Sequence, residues 1–440
     1  MRSITTLLFL IIASFRLFAQ EITILKNVAV VSPSTNAVLY GFDVTVENGS
    51  IESIKKTTNK KHRNATVIDA TGKYLMPGLA DMHVHIPRQK KYGYGADEFL
   101  MLQLAAGVTA VRSMRGADAD LVLQKQISEG QKIGPSIYTS APPFYASRVW
   151  ASGDSLVKLL TRYKQQGYQS LKVLSVPSVS WFDTLAQTAK KQNLKLSGHV
   201  PAGILIDAAL DNNLNSIEHL GGYENLSLDS DTFKEAIKQT VSKKVFNCAT
   251  LDWYFVNYTQ ITYDEMKQRA GLDRLPTAIV KDWTKTFDDY FADQSKKHPD
   301  SLKKEHDAEK IYVDKKLQIL RILNQAGAKF LISPDASTVF QVPGLSMIEE
   351  MKWYKRAGLS NFDILKAATF NAAKYVGEQD KWGSIQKGMK ADLVLLEANP
   401  LDDVENIRKI VGVMKNGQWF DKAKLNEMIQ TIKSNYREQP

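Results

Sequence analysis

The sequence predicts an α/β protein: a (β/α)8 (TIM) barrel with a small β-sandwich domain built from both ends of the chain. Three observations predict it. The chain has 440 residues, too many for one ordinary domain of roughly 100–200 residues and enough for one large barrel with an accessory module. From about residue 75 to 370, eight short apolar runs alternate with amphipathic segments, the order that builds a parallel sheet covered by helices. Both ends carry short strand patterns punctuated by turn residues, too few on either side to bury a core alone.

Residues 1–20, MRSITTLLFLIIASFRLFAQ, place Arg2 ahead of an apolar run from Leu7 to Ala13 and a small residue, Ala19, near a plausible cut. This composition is that of a cleaved secretory signal peptide. The competing reading, a membrane anchor, needs about 20 apolar residues. The protein is therefore expected to be secreted or periplasmic, with no stable membrane anchor. Arg2 and Arg16 are the only charges in this segment, so its removal leaves +8 of the net charge of +10. The basic residues are dispersed rather than clustered, which fits a solvated basic surface and argues against a nucleic-acid partner.

Residues 21–74 read as strands: Ile22–Leu25, Asn27–Val31, Asp43–Val46, the turn Glu47-Asn48-Gly49, and the alternating Ser50–Ile54. Residues 383–425 repeat the style, with Ala391–Leu396, Val411–Met414, the turn Lys415-Asn416-Gly417 and Gln418–Phe420. Together they are expected to form the composite sandwich. Residues 75–382 are expected to form the barrel, with strand runs at Leu75–Leu79, Thr109–Arg112, Ser136–Thr139, Ser170–Leu174, Lys195–Val200, Ser216–Leu220, Val245–Ala249 and Lys329–Ser333. Phe233, Ala236, Ile237 and Val241 share one helical face, and Gly107, Gly167 and Gly327 stand where helices should end. Residues 252–327 are far longer than one connection and helix need. They read as a charged helical insertion after the seventh strand, either peripheral or a lid over the barrel mouth.

Composition narrows the chemistry. Apolar residues make up 44% and charged residues 24%, ordinary globular usage that excludes disorder, collagen and a multi-span membrane protein. Cys248 is the single cysteine, so metal binding falls to nitrogen and oxygen rather than thiolates. The strongest motif is Met76-Pro77-Gly78-Leu79-Ala80-Asp81-Met82-His83-Val84-His85. Residues two apart on a strand point to the same face, so His83 and His85 can share one ion at a barrel strand end. His199 and His219 lie in the fifth and sixth runs. Each alone reads as a hydrogen-bonded buried histidine; all four at strand ends point to a metal. Lys172 sits inside an apolar run, where a desolvated amine tends to be neutral and can react with carbon dioxide; the alternative is a lysine that reaches the surface. Asp335 ends the eighth run, as metal ligand and proton acceptor or as a helix N-cap.

These motifs resemble the amidohydrolase superfamily, most closely its imidazolonepropionase-like and prolidase-like branch. The resemblance covers nearly the whole chain beyond the leader. It includes Gly107–Arg112, His199-Val200-Pro201, Ser216-Ile217-Glu218-His219, Ala368–Ala373 and Gly383–Leu393. It implies two divalent metal ions, usually zinc. His83, His85 and Asp335 would hold one, and His199 and His219 the other. Lys172, carboxylated by CO2, would bridge them, and a hydroxide between them would attack. Asp335 would be the catalytic proton carrier. Mononuclear deaminases of the superfamily place a glutamate after the fifth-strand histidine, whereas Val200-Pro201-Ala202 follows His199 here. Ser333-Pro334 departs from the small-residue pair that often precedes the last aspartate.

The expected activity is cleavage of an amide (C–N) bond in a small substrate such as a dipeptide or N-acyl amino acid. The alternatives are hydrolysis of cyclic amides, lactones or phosphotriesters at the same centre, and a non-catalytic exported binding protein. Tyr223 is expected as a substrate contact or a packing aromatic. Arg112, Arg115, Tyr145 and Arg148, in the loops after the second and third strands, are candidates for a substrate carboxylate, with surface salt bridges as the ordinary use. The expected partner is the small-molecule substrate; a homo-oligomer is compatible with the sequence. His62, His298 and His306 fall in charged stretches.

Overall fold

The computed structural model describes residues 22–59, 64–147 and 154–434. The leader segment and Arg148 lie outside the described residues, as does His62.

Strands from both ends of the chain join one sheet. Its order is Gln418–Asp421, Ile410–Lys415, Leu393–Leu396, Tyr74–Pro77, Ile22–Ser32, Ala37–Glu47 and Ser50–Lys56, with Thr66–Asp69 also paired to Ile22–Ser32. Two stretches that the sequence separates, Ile22–Leu25 and Asn27–Val31, run as one strand. A register shift between Leu25 and Val28, with Asn27 at φ 56°, absorbs the break. Asn48-Gly49 and Asn416-Gly417 both take left-handed conformations at tight hairpins, which is what the Asn-Gly pairs announce. Leu25, Val30, Val44 and Leu75 pack with Leu393, Leu395 and Met414, so both chain ends share one core.

Eight short parallel strands follow in the middle of the chain: β1 Leu79–Val84, β2 Val108–Ser113, β3 Ser136–Thr139, β4 Ser170–Val173, β5 Lys195–Gly198, β6 Ser216–Glu218, β7 Phe246–Cys248 and β8 Lys329–Leu331. They are almost wholly buried, as strands covered on both faces must be. Continuous ladders join β1 to β3 and β4 to β8. Backbone hydrogen bonds cross both gaps: Ala141 donates to Ser170 at 2.7 Å, and Met82 to Ile332 at 3.0 Å. The arrangement is a TIM-barrel-like α/β fold. Its first strand begins later than the sequence suggests. Tyr74–Pro77 pairs with Leu393–Leu396 in the flanking sheet, and the lumen strand starts at Leu79.

Three features bear on the site. The helix Asp231–Ser242, capped by the Ser230 hydroxyl on the Phe233 amide, buries Phe233, Ala236, Ile237 and Thr240. Thr240 takes the place the sequence gives to Val241. The stretch after β7 is helical: α1 Leu251–Asn257, α2 Tyr263–Lys267, α3 Thr277–Gln294 and α4 Pro299–Gln325. A helix the sequence reading omits, Lys422–Ser434, carries Leu425, Met428, Ile429 and Ile432 at helical spacing. The first three pack with Leu104, Val413 and Phe420, which fastens the flanking sheet to the barrel. No helix among the described residues is long and apolar enough to cross a membrane.

Candidate metal centre

All six residues singled out for metal chemistry lie at or just beyond the C-terminal ends of β1, β4, β5, β6 and β8, the face on which barrel active sites are built. The His83 and His85 rings stack with centroids 5.4 Å apart. His219 lies 4.8 Å from His83 and 4.7 Å from His199, centroid to centroid. His83, His85 and Asp335 offer ligand atoms within 4.8 Å of one another. His85, Lys172, His199, His219 and Asp335 line one cavity of about 320 Å³, and His83 lies beneath it, Nε2 2.9 Å from Lys172 Nζ.

Hydrogen bonds fix which ring nitrogens face inward. His83 Nδ1 donates to Glu218 Oε2 at 2.7 Å. Glu218 is fully buried, yet Arg112 and His83 hold its carboxyl well below the usual range against the upward pull of burial, so it only accepts. His83 Nε2 therefore turns its lone pair toward Lys172. Thr250 spends its hydroxyl hydrogen on the Ala249 carbonyl, so His219 Nδ1 donates to Thr250 Oγ1 at 2.7 Å and leaves Nε2 unprotonated. Such partners set the tautomer of metal-binding histidines.

Burial acts on His83, Lys172, His199, His219 and Asp335. It lowers His83 and His199 to about 4 and Lys172 to about 8, with neighbouring cations adding to the effect. It would raise Asp335, but His83 and His85 outweigh it and keep the carboxylate ionised. For His83, His199 and His219 the result is neutral imidazoles, set beside a readily neutralised amine and an anion. Asp335 Oδ1 is buried without a hydrogen bond among the described residues, although His85 Nε2 approaches to 3.2 Å. An unsatisfied carboxylate oxygen beside inward imidazole nitrogens is a donor set that suits divalent cations.

The backbone is strained here. His219, Leu220, Thr250 and Asp335 all have positive φ, between 49° and 63°, each costing on the order of 1–3 kcal/mol. Gly198, next to His199, has φ 133°, and a Cβ there would lie 2.1 Å from the Val173 carbonyl, so no other residue fits.

Two residues expected at the substrate lie elsewhere. Tyr223 is fully buried, and its hydroxyl donates to Thr240 Oγ1 at 2.6 Å, because the Thr240 hydrogen is engaged by Ala236 O. It is a packing aromatic. Arg112 lies within the barrel, bonded to Met82 O at 2.5 Å, Ser216 Oγ at 3.0 Å and Glu218 Oε1 at 2.7 Å. With every face of the guanidinium engaged and 1% exposure, it supports Glu218 and does not meet a substrate. Tyr145 lines the cavity, as does Arg115.

Glu218 and Lys316 also bear on the site, although nothing in the sequence pattern assigns them a role. Buried Lys316, on α4, donates to the His219 carbonyl at 2.6 Å and lies 4.3 and 4.8 Å from the Tyr254 and Tyr312 ring centroids. Its signal was a lysine between Val313, Leu317 and Leu320 on an apolar helix face.

Comparisons with known proteins agree with this architecture. The model of the amidohydrolase family matches residues 74–420. An adenine deaminase of Methanococcoides burtonii is 22% identical over 389 residues, 85% of this chain and 55% of that protein, so the chain spans about half of that relative's length. An ochratoxinase of Aspergillus niger is 21% identical over 82% of this chain and 78% of its own. Among solved structures, a putative prolidase from Bifidobacterium longum is similar at TM-score 0.71 and 20% identity, covering 94% of this chain and 99% of that one. A Xaa-Pro dipeptidase with bound methionine in the active site reaches 0.69 at 16% identity, covering 91% and 100%. At these identities the solved structures speak for the fold.

Proposed function

The chain belongs to the amidohydrolase family, and we propose that it is an exported metal-dependent hydrolase that cleaves an amide bond in a small substrate such as a dipeptide or N-acyl amino acid. The observation that carries this is the convergence of four imidazoles, one desolvated lysine and one unsatisfied carboxylate from five strand ends on a single cavity. Export rests on the composition of residues 1–20. We read the eight lumen strands as one barrel and the strands of the two chain ends as one accessory domain.

His83, His85 and Asp335 would hold one divalent ion, zinc by the character of the donors, and His199 and His219 a second. Lys172 would join them as a carbamate: its neutral amine adds to CO2, forming an N–C bond and releasing one proton, and the site gains an anionic donor. Bound divalent ions supply a water activated at neutral pH and a polarised scissile carbonyl.

The chain's own residues do the rest. Asp335 would accept one proton of the attacking water on Oδ1, the oxygen with no hydrogen bond among the described residues, as the water oxygen bonds to the carbonyl carbon, and would pass that proton to the departing nitrogen as the C–N bond breaks. Glu218 and Thr250 keep two imidazoles in the ligating tautomer. Trp253 and Tyr254, from α1, wall the cavity beside His219.

Release of free amine from dipeptides and N-acyl amino acids by the metal-loaded protein tests the reading. Amide cleavage at least a hundredfold above that of the metal-stripped protein is expected. Cleavage confined to lactones or phosphotriesters would overturn it.

A further inference from the structure

Beside the cavity that holds the six donors lies a larger one of about 790 Å³, and the two share His85, Arg115, Tyr145 and Ser337. Its volume is that of a drug-sized ligand pocket, far more than a dipeptide of small residues fills. Tyr94, Phe99, Pro142, Pro143 and Trp283 give it apolar walls, Trp283 coming from α3. No aspartate or glutamate lines it, among the described residues; its charged groups are Arg88 and Arg115.

The two arginines are used differently. Arg88 is tied to the Asp120 carboxylate and to the main-chain carbonyl of Arg115. Gly116 follows, and a Cβ there would lie 1.5 Å from the Ser140 carbonyl, so the turn is pressed against its neighbour. The backbone of Arg115 is thus anchored on both sides. Its guanidinium has no hydrogen bond or ion pair among the described residues, and its charge reaches Lys172 in the adjoining cavity. A fixed backbone with an unpaired, planar, five-donor head at the junction of two cavities is preorganised for a carboxylate.

We propose that Arg115 recognises a substrate carboxylate close to the scissile bond, and that the substrates are amides combining that carboxylate with a bulky apolar group seated against Tyr94, Phe99 and Trp283. This rests on reading the site as an amide-hydrolysing metal centre.

The test compares N-acetylphenylalanine with N-acetylphenylalaninol, which has the same amide and ring but no charge, and with N-acetylglycine, using the metal-loaded full chain. Expected are kcat/KM values ten- to a hundredfold higher for the acid than for the alcohol, and higher for the phenylalanine than the glycine compound. In Arg115→Ala the acid-to-alcohol ratio should fall toward one, mainly through KM, and Arg115→Lys should restore part of it. In Trp283→Ala the preference for phenylalanine over glycine should shrink. Equal rates for acid and alcohol in the native protein, or an unchanged ratio in Arg115→Ala, would overturn the proposal and leave amide hydrolysis standing. No hydrolysis of any of the three by protein carrying its full metal content would contradict the functional reading itself.

Discussion

The Glu218 carboxylate holds the His83 ring by a 2.7 Å bond from Nδ1 to Oε2, with both side chains fully buried. The same carboxylate accepts from Arg112 Nη2 at 2.7 Å, so the pair forms a charged support beneath the site. Glu218→Gln would leave Arg112 uncompensated in the interior, at a cost of about 3–5 kcal/mol, and would remove the charge that favours Nδ1 protonation on His83. Metal affinity, measured by competition with a chelating dye, should fall about 10- to 100-fold. Unchanged affinity in a folded variant would contradict the role.

Lys172 has His83 Nε2 as its neighbour at 2.9 Å and, among the described residues, no counter-ion at hydrogen-bond distance. Lys172→Ala should lose metal and activity together. Metal-stripped native protein given zinc should regain activity in bicarbonate buffer and recover poorly where CO2 has been removed. Recovery independent of CO2 would argue against the carbamate.

Tyr223→Phe removes the buried hydrogen bond to Thr240. Denaturant unfolding should show a loss of about 0.5–1.5 kcal/mol, and kcat and KM should be unaltered. A tenfold fall in kcat/KM without unfolding would return Tyr223 to the substrate site.

The helical insertion reaches the site at defined points. Trp253 and Tyr254 of α1 wall the smaller cavity and Trp283 of α3 the larger, while Asp282 beside it pairs with Lys91 at 2.8 Å and accepts from Tyr92 at 3.4 Å. Asp282→Ala should change stability by less than about 1 kcal/mol, since the pair is partly exposed, yet shift KM for large substrates several-fold by loosening α3 from the loop after β1. Unchanged kinetics on large and small substrates alike would leave the insertion a peripheral helical layer.

The sequence exposes the six donors because reactive side chains interrupt apolar strand runs, where burial without a purpose is costly. His83, His85, Lys172, His199, His219 and Asp335 all stand out this way, and the fold gathers them around one cavity. Arg112 carries the same signal in the Thr109–Arg112 run but lies deeper in the barrel, and position along a run does not reveal depth. Tyr223 shows the same limit beyond a strand end: it follows His219 by four residues, yet the left-handed turn at His219 and Leu220 directs the chain back into the core. Strand pairing is also hidden. The apolar stretch from Leu75 to Val84 is continuous in sequence, but its first part pairs with Leu393–Leu396, some 320 residues away.

The most direct test of the central claim is the metal content of the full chain purified without chelators under zinc-replete conditions, beside the Lys172→Ala variant. Two divalent ions per native chain, and a marked loss in the variant, are the results expected of a six-donor centre bridged by Lys172. Fewer than one ion per native chain would contradict it.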